Sequence, residues 1–545
     1  MCNELTNEIG DLQYFFSRVK QPRNQRVAVR QFRSGLRQLG QKAVGFQCLA
    51  LYFEPTGAPM DSPFHQDSVD VAVIGAGFSG TMAAVHLLKQ TNDRITVALV
   101  ERTSEFGRGL AYRTRDVTHR LNVPAAKMGA FPDDIEGFYR WLQTRPERLR
   151  AVGMHTIHPN AFMPRILFGE YLEDLLANAE TVSPRLRKIA AEAIDLVPLL
   201  NGSFRMEFSA GRPLIADQVV LALGNFPPGD PSLKDRAFHQ SNRYLVDAWA
   251  DESRAKLSKP GDVLVLGSGL TALDLLSSLS HSKSSGTIHV LSRRGLFPRP
   301  HLPVEPYPAF FDPHDLPSSV RTLCRLIRQE IGRANDEDKD WRAVIDSIRP
   351  FSQSIWKALS RDDRRRFLRH LKAFWEPHRH RVAPEVLAIK ESLETRGRLC
   401  CYRGRVVAIE ERENQLEITF CQAGKNRTLR VSYVINCTGP ECNYHKLKDP
   451  LVVQLFARGL IVPDPLFLGL DVGTGGSILN LLRERVRNLY TLGSPQKGIL
   501  FETTAVPELR VQARDLAMRI LKQHRIQDSI EQKGFIPDPA YAYQI

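Results

Sequence analysis

Two short stretches 192 residues apart restrict what this chain can fold into more than any other feature. VDVAVIGAGFSG (residues 69–80) and DVLVLGSGLTA (262–272) each run from an apolar, β-branched segment through a glycine turn into a helical segment. A buried strand that enters a helix through G-x-G-x-x-G is built to receive a pyrophosphate. One glycine makes the tight turn, the next lets the backbone approach the phosphates, and the third lets helix and strand pack closely. In the first stretch these are Gly75, Gly77 and Gly80, with Phe78 and Ser79 opening the helix. In the second they are Gly267 and Gly269, with Ala272 at the third position and Leu270 and Thr271 opening the helix. The free N–H groups and positive dipole end of each helix suit an anion.

The strand that follows each helix carries the second signal. ITVALVE ends on Glu101, and a carboxylate there accepts hydrogen bonds from ribose hydroxyls. The constant offset of 192 residues sets Glu101 against Arg293, with Arg294 next to it. A guanidinium at that place binds a 2′-phosphate through charge-assisted hydrogen bonds, whereas a carboxylate repels it. The first unit is therefore expected to hold a dinucleotide with free ribose hydroxyls, and the second NADPH in preference to NADH. Two such units in one chain most simply form a relay, in which a nicotinamide delivers hydride and FAD receives it.

The fold class expected is α/β, with two dinucleotide-binding (Rossmann-like) domains, the NADPH domain inserted into the FAD domain, and a helical insertion. With 545 residues the chain is too long for one core. Residues 1–66 read as an extension outside the fold, basic from Arg18 to Lys42. Residues 67–226 form the first part of the FAD domain. Residues 227–435 form the NADPH domain, with helices rich in Arg, Asp and Glu at about 301–395, and residues 436–545 complete the FAD domain.

The net charge of +14 is spread along the chain, and no aromatic-rich RNA motif or zinc-finger spacing accompanies it, so nucleic acid is not the expected partner. The basic balance points instead to an anionic small-molecule substrate. No run approaches the eighteen apolar residues of a membrane span. Eight cysteines in this length do not make a disulfide scaffold, and a cytoplasmic setting is expected. His378 and His380 in PHRHR lack accompanying ligands, so no metal is expected. Cys437 and Cys442 are spaced like a redox pair but follow a late strand, which disfavours that role.

Beyond the turns, the chain resembles bacterial FAD/NAD(P)-binding oxidoreductases of the FAD-dependent urate hydroxylase and aspartate N-monooxygenase type. The resemblance covers about residues 67–520. Its carriers are VAVIGAGFSG, ERTSEFGRGLAY, HRLNVPAAKMGAFPDD, FMPRILFGEYL, VLVLGSGLTALD, SRRG, HRHRVAP and LGSPQKGILFETTAVPELRVQA. It implies that Glu101 and Arg102 meet the adenosine ribose of FAD. It implies too that Arg108 and Gly109 run towards the flavin, with Asn122 and Met128 as its neighbours. Met128 reads equally as a core filler and Asn122 as a turn residue. Gly224 and Gly439 close the strands that cross between the domains. Gly493 belongs to the last motif, and Thr503 and Thr504 precede a helix aimed at the flavin, a place they also suit as N-caps. The activity implied is an NADPH-driven monooxygenation of a small molecule with molecular oxygen, the reduced flavin reacting at C4a. The alternatives are a flavin reductase or oxidase without oxygen insertion and a non-catalytic redox sensor. No catalytic acid or base emerges.

Overall fold

A computed structural model describes residues 67–89, 95–281 and 286–532, with side chains to residue 524. The N-terminal extension lies outside the described residues. β1 (Ser68–Ile74) leads through the first glycine turn into α1 (Phe78–Lys89) and β2 (Val97–Glu101). After a long connection come α2 (Arg165–Val182), β3 (Leu186–Ala190), β4 (Ala193–Pro198), β5 (Phe204–Phe208) and β6 (Leu214–Leu221). The second unit comprises β7 (Tyr244–Leu245), β8 (Val263–Leu266), α3 (Leu270–His281) and β9 (Ile288–Ser292).

A helical insertion follows: α4 (Val320–Asp336), α5 (Trp341–Ser347), α6 (Ser352–Ala358), α7 (Arg361–His370) and α8 (Lys372–Arg379). Then come α9 (Pro384–Thr395), β10 (Leu399–Arg403), β11 (Arg405–Arg412), β12 (Gln415–Gln422), β13 (Lys425–Val431) and β14 (Tyr433–Asn436). The chain closes with β15 (Ser477–Leu479), β16 (Arg485–Thr491) and α10 (Val506–Gln532).

Eight strands form the first sheet, in the order β15-β16-β6-β1-β2-β3, with β5 also pairing β6 and β4 pairing β5. β1 lies parallel between β2 and β6. Val71, Ala72 and Val73 are fully buried, as both faces of a covered parallel sheet require. On one face α1 and α10 pack through Met82, Leu87, Ala513, Ala517 and Ile520. The other face is covered by a cluster that includes Leu451, Val452 and Leu470.

The second sheet has the order β10-β9-β8-β14-β7 and is parallel throughout. α3 and α9 cover one face through Leu273, Leu276, Val386 and Leu393. The antiparallel meander β11-β12-β13 covers the other through Ile409, Ile418 and Phe420. α9 therefore belongs to the second dinucleotide domain as the crossover helix from β9 to β10. The insertion expected to reach about residue 395 ends before Pro384, because the apolar face of α9 is buried against α3 and not against the other inserted helices.

Candidate functional site

The two glycine turns are built alike. Gly75 donates its N–H to the carbonyl of Val100 at 2.8 Å, and Gly267 donates to that of Leu291 at 2.9 Å. Both glycines have positive φ, +101° and +104°. A Cβ at Gly75 would lie 2.3 Å from the carbonyl oxygen of Ala222, and one at Gly267 would lie 2.4 Å from that of Cys437. Any side chain there would drive apart the turn and the neighbouring strand end, so the strand pattern itself demands glycine.

This pairing corrects the equivalence expected from a constant offset. β1 ends with Ile74 opposite Val100, and β8 ends with Leu266 opposite Leu291. Glu101 thus corresponds to Ser292, and Arg293 stands one residue further on, level with Arg102. The linker between helix and second strand is one residue shorter in the second unit, with α3 ending at His281 and β9 starting at Ile288. Side-chain contacts repeat the correspondence. The Ala76 N–H donates to Glu101 Oε2 at 2.9 Å, and Ser268 Oγ lies 2.9 Å from Ser292 Oγ. The acid of the first unit is replaced by a small hydroxyl residue. Arg293 follows it, exposed and with no ion-pair or hydrogen-bond partner among the described residues. Arg294, also exposed, lies over the Phe374 ring at 5.6 Å.

Gly75, Gly77, Glu101, Arg102 and Gly109 line one cleft of about 340 Å³ together with Thr271 of the second unit. Gly224, Asn225, Asn436, Cys437 and Gly439 lie along the same cleft. The two crossing segments run side by side, joined by a bridge between Pro228 and Pro440 and by the Glu441 N–H to the Pro227 carbonyl at 3.1 Å. Open space lies where a Cβ would stand at Gly224, Gly269 and Gly439. Gly77 meets only the Cα of Gly109, at 3.4 Å. The turns thus leave room for an anion at each helix start, and the residues present fit a dinucleotide in each unit.

Other expected site residues fall in two groups. Gly80 packs into the turn, where a Cβ would strike the Gly75 carbonyl. Gly493, just after β16, meets Ser79 of α1 and Thr503, which precedes α10. A Cβ at Gly493 would lie 3.1 Å from Ser79 Oγ, and buried Thr503 donates to the Gly493 carbonyl at 3.3 Å. Thr504 is exposed beside it, and Phe78 is buried in the core under the turn. Arg102 pairs with Asp449 at 2.9 Å. Arg108 is committed to Glu173 of α2 by two hydrogen bonds of 2.6 and 2.7 Å, so its guanidinium supports the loop. Met128 is 2% exposed within the first core cluster. The Asn122 carbonyl accepts from His301 Nε2 at 3.0 Å.

The sequence reading missed a polar seam between the two domains. Arg165 pairs with Asp274 of α3 at 3.1 Å. His119 Nε2 meets Ser278 Oγ at 2.8 Å, and Ser278 donates to Asp116 at 2.6 Å. Arg113 reaches Asp247 at 2.8 Å. Burial holds the His119 imidazole below its ordinary range and pushes the Asp274 carboxyl up. Only Arg165, prominent in PRILFGEYL, gave any advance signal. Cys437 is buried, Cys442 is half-buried, and both are free.

The fold and cleft define a class: an α/β protein in which one dinucleotide-binding domain interrupts another and both face one crevice. Comparisons with known proteins agree with that architecture. Residues 72–226 match the family model described as FAD-NAD(P)-binding. YdhS of Escherichia coli (strain K12), a protein described as uncharacterized, is 22% identical over 317 residues, covering 51% of this chain and 57% of that one. The match thus spans little more than half of that relative.

Solved structures share the fold. The ornithine N-hydroxylase of Kutzneria sp. 744 superposes with a TM-score of 0.57 at 16% identity, over 84% of this chain and 100% of its own. Its structure contains reduced FAD, NADP+ and L-ornithine. Ornithine hydroxylase PvdA of Pseudomonas aeruginosa gives 0.56 at 16%, covering 84% and 99%. L-Lysine 6-monooxygenase of Pseudomonas syringae gives 0.56 at 15%, covering 83% and 99%.

Proposed function

We propose that the protein is an FAD-dependent monooxygenase that draws hydride from NADPH and hydroxylates a small molecule. The balance is RH + O₂ + NADPH + H⁺ → ROH + H₂O + NADP⁺. The observation that carries this reading is the shared cleft: Gly75, Gly77 and Glu101 of the first unit and Thr271 of the second line one crevice, as hydride transfer between two cofactors needs. The fold likeness to N-hydroxylating monooxygenases supports the oxygenase form of the reaction over simple flavin reduction.

The roles assigned to residues follow from their chemistry. Glu101, held by the Ala76 N–H, accepts the ribose hydroxyls of FAD. The N–H groups at the start of α1 take the FAD pyrophosphate, and those at the start of α3 take that of NADPH. Arg293 and Arg294 receive the 2′-phosphate. The N-terminus of α10, beside Thr503 and Thr504, offers positive potential to the isoalloxazine. When bound, FAD supplies hydride acceptance and oxygen activation, so the protein is left to bind, orient and exclude water. The polar seam fixes the angle between the two domains.

The test is direct. The purified protein is expected to be yellow, to lose that colour anaerobically with NADPH, and to consume NADPH and O₂ in equal amounts with substrate. A protein that neither retains nor takes up FAD ends this reading. Flavin that NADPH reduces but that releases only peroxide with every substrate tried reduces it to a reductase or oxidase.

A further inference from the structure

The helical insertion holds a second cavity, of about 480 Å³ and open on one side, within the size range of small-molecule sites. Its buried wall is apolar, with Leu323, Ile345, Ile355, Trp356 and Phe367 each under 9% exposed. Outside the insertion its wall is completed by Phe501 and Glu502, the two residues before Thr503 and the N-terminal end of α10. The insertion is clamped to this segment. Trp356 Nε1 donates to the Gly498 carbonyl at 2.9 Å, Gln353 Nε2 to that of Glu502 at 2.6 Å, and Arg349 pairs with Glu508 at 2.9 Å.

The joint is strained. Phe501 has φ +59° and ψ −64°, and the Glu502 N–H donates back to the Leu500 carbonyl at 2.7 Å. This is a three-residue γ-turn of the rare, costly hand. Such backbone persists where the surroundings over-determine it, and it clusters at working sites. Here it directs the Phe501 ring into the cavity wall, stacked on Trp356 at 4.6 Å.

The charges decide what kind of molecule fits. Glu502 is the one carboxylate on the wall. It is already answered by Arg379 at 3.6 Å and by the Trp375 Nε1–H at 3.3 Å. Burial works to raise its carboxyl, but Arg379, His380 and the Trp375 N–H together hold it below the ordinary range. It offers no free negative charge. The exposed part of the lining includes Arg328, which marks the mouth. Arg321, Arg325 and Arg328 share one stripe of α4, all exposed and none with an acidic partner among the described residues. The interior is apolar, and Arg328 is the one arginine at its exposed edge, beside Asn335 and Phe374.

We propose that this cavity binds an anionic amphiphile, with its hydrocarbon body among the insertion helices and its acidic head at Arg328. That the amphiphile is also the substrate rests on the flavoenzyme reading above; that it binds does not.

Three of the chain's five tryptophans, Trp341, Trp356 and Trp375, line the cavity, so intrinsic fluorescence reports on it. The protein as purified is titrated with decanoate, decanol and decylamine below their micellar concentrations. Decanoate is expected to quench saturably and to bind at least about tenfold more tightly than decylamine, as hydrogen bonding to a charged group implies. Each methylene added from octanoate to dodecanoate should tighten binding about fourfold. Arg328→Glu should remove the preference for decanoate, and Cys324→Trp, which fills the cavity, should abolish binding. Equal or tighter binding of decylamine, or decanoate binding that survives Cys324→Trp in a folded variant, overturns the proposal. NADPH and O₂ consumption are followed separately. Saturable decanoate binding that leaves both rates unchanged overturns the substrate role alone. Absence of flavin ends the flavoenzyme reading without moving the fluorescence result.

Discussion

Single residues set the selectivity of each cleft and the strain beside the inner cavity. Arg293 is exposed and unpaired where a 2′-phosphate is expected. Replacing it with alanine should weaken NADPH binding about 10- to 100-fold, the worth of hydrogen bonds to a charged group, and leave NADH binding little changed. Equal losses for the two nucleotides, measured by titration, would remove the 2′-phosphate role. Phe501 allows a test of opposite sign to the usual rule. Alanine ordinarily stabilises a backbone position relative to glycine. At φ +59° and ψ −64° the order should invert, with Phe501→Gly more stable than Phe501→Ala by about 1–3 kcal/mol in urea unfolding. This strain could not be read from LFETT, because nothing in those residue types signals a γ-turn. The glycines at 75 and 267 were legible because the space they vacate is fixed by strand geometry. The counterpart of Glu101 in the second unit was legible only to within one residue, Ser292 in place of Arg293. Counting along the chain assumes equal linkers, whereas hydrogen-bond register does not.

At the level of elements, the decisive contact is the seam between α3 and the segments before and at the start of α2. Asp274 is 6% exposed at its side chain, and Arg165 is its ion-pair partner. Removing one member of a buried pair leaves an uncompensated charge, which costs about 3–5 kcal/mol. Arg165→Met should therefore destabilise the protein by about that amount. Arg165→Met with Asp274→Leu should recover most of the loss, since no charge then remains buried. If the seam positions α3 against the first domain, the double variant should unfold like the parent yet reduce flavin more slowly. Parent-like reduction in a stably folded double variant would make the pair merely structural. The two glycine units and the interrupted domain order were legible because each is a local pattern on one strand and one helix. The seam and the inner cavity were not. The seam joins residues more than 100 positions apart, and the cavity, though lined mostly from Leu323 to His378, depends on how five helices pack and on Phe501 and Glu502 far along the chain. α4 shows how far local patterning reaches: its basic stripe could be read from spacing, but not the cavity that lies behind it.

The whole molecule holds its buried histidines neutral, and that makes it sensitive to acid. His86, 3% exposed on α1, is lowered to about 4 by burial and by Lys89, and His301 to about 4 by burial and Arg381. Burial also lowers His119, His289 and His380. In the unfolded chain each takes a proton near its ordinary 6.5. Between about 6.5 and 4 the unfolded state therefore binds more protons than the folded one. The stability that His86 and His301 support is fully present above that window and is lost as pH falls through it, and His119, His289 and His380 act in the same direction. Glu502 and Asp116, both lowered, add to the loss further into acid as they protonate. Asp274, raised by burial, opposes it. With five depressed histidines against few raised carboxyls, the sum favours acid sensitivity. His86 is the cleanest probe. Its Nε2 is buried without a hydrogen-bond partner, and its ring meets Phe131 edge-on at 5.4 Å. His86→Phe keeps an aromatic ring and removes the titration. Unfolding free energy from urea melts between pH 7 and pH 4 should fall less steeply in this variant, by up to about 1.4 kcal/mol per pH unit within the window. Identical slopes for parent and variant would mean that His86 is protonated without cost in the folded state, and the acid sensitivity would then have to reside in the other depressed histidines and the carboxylates.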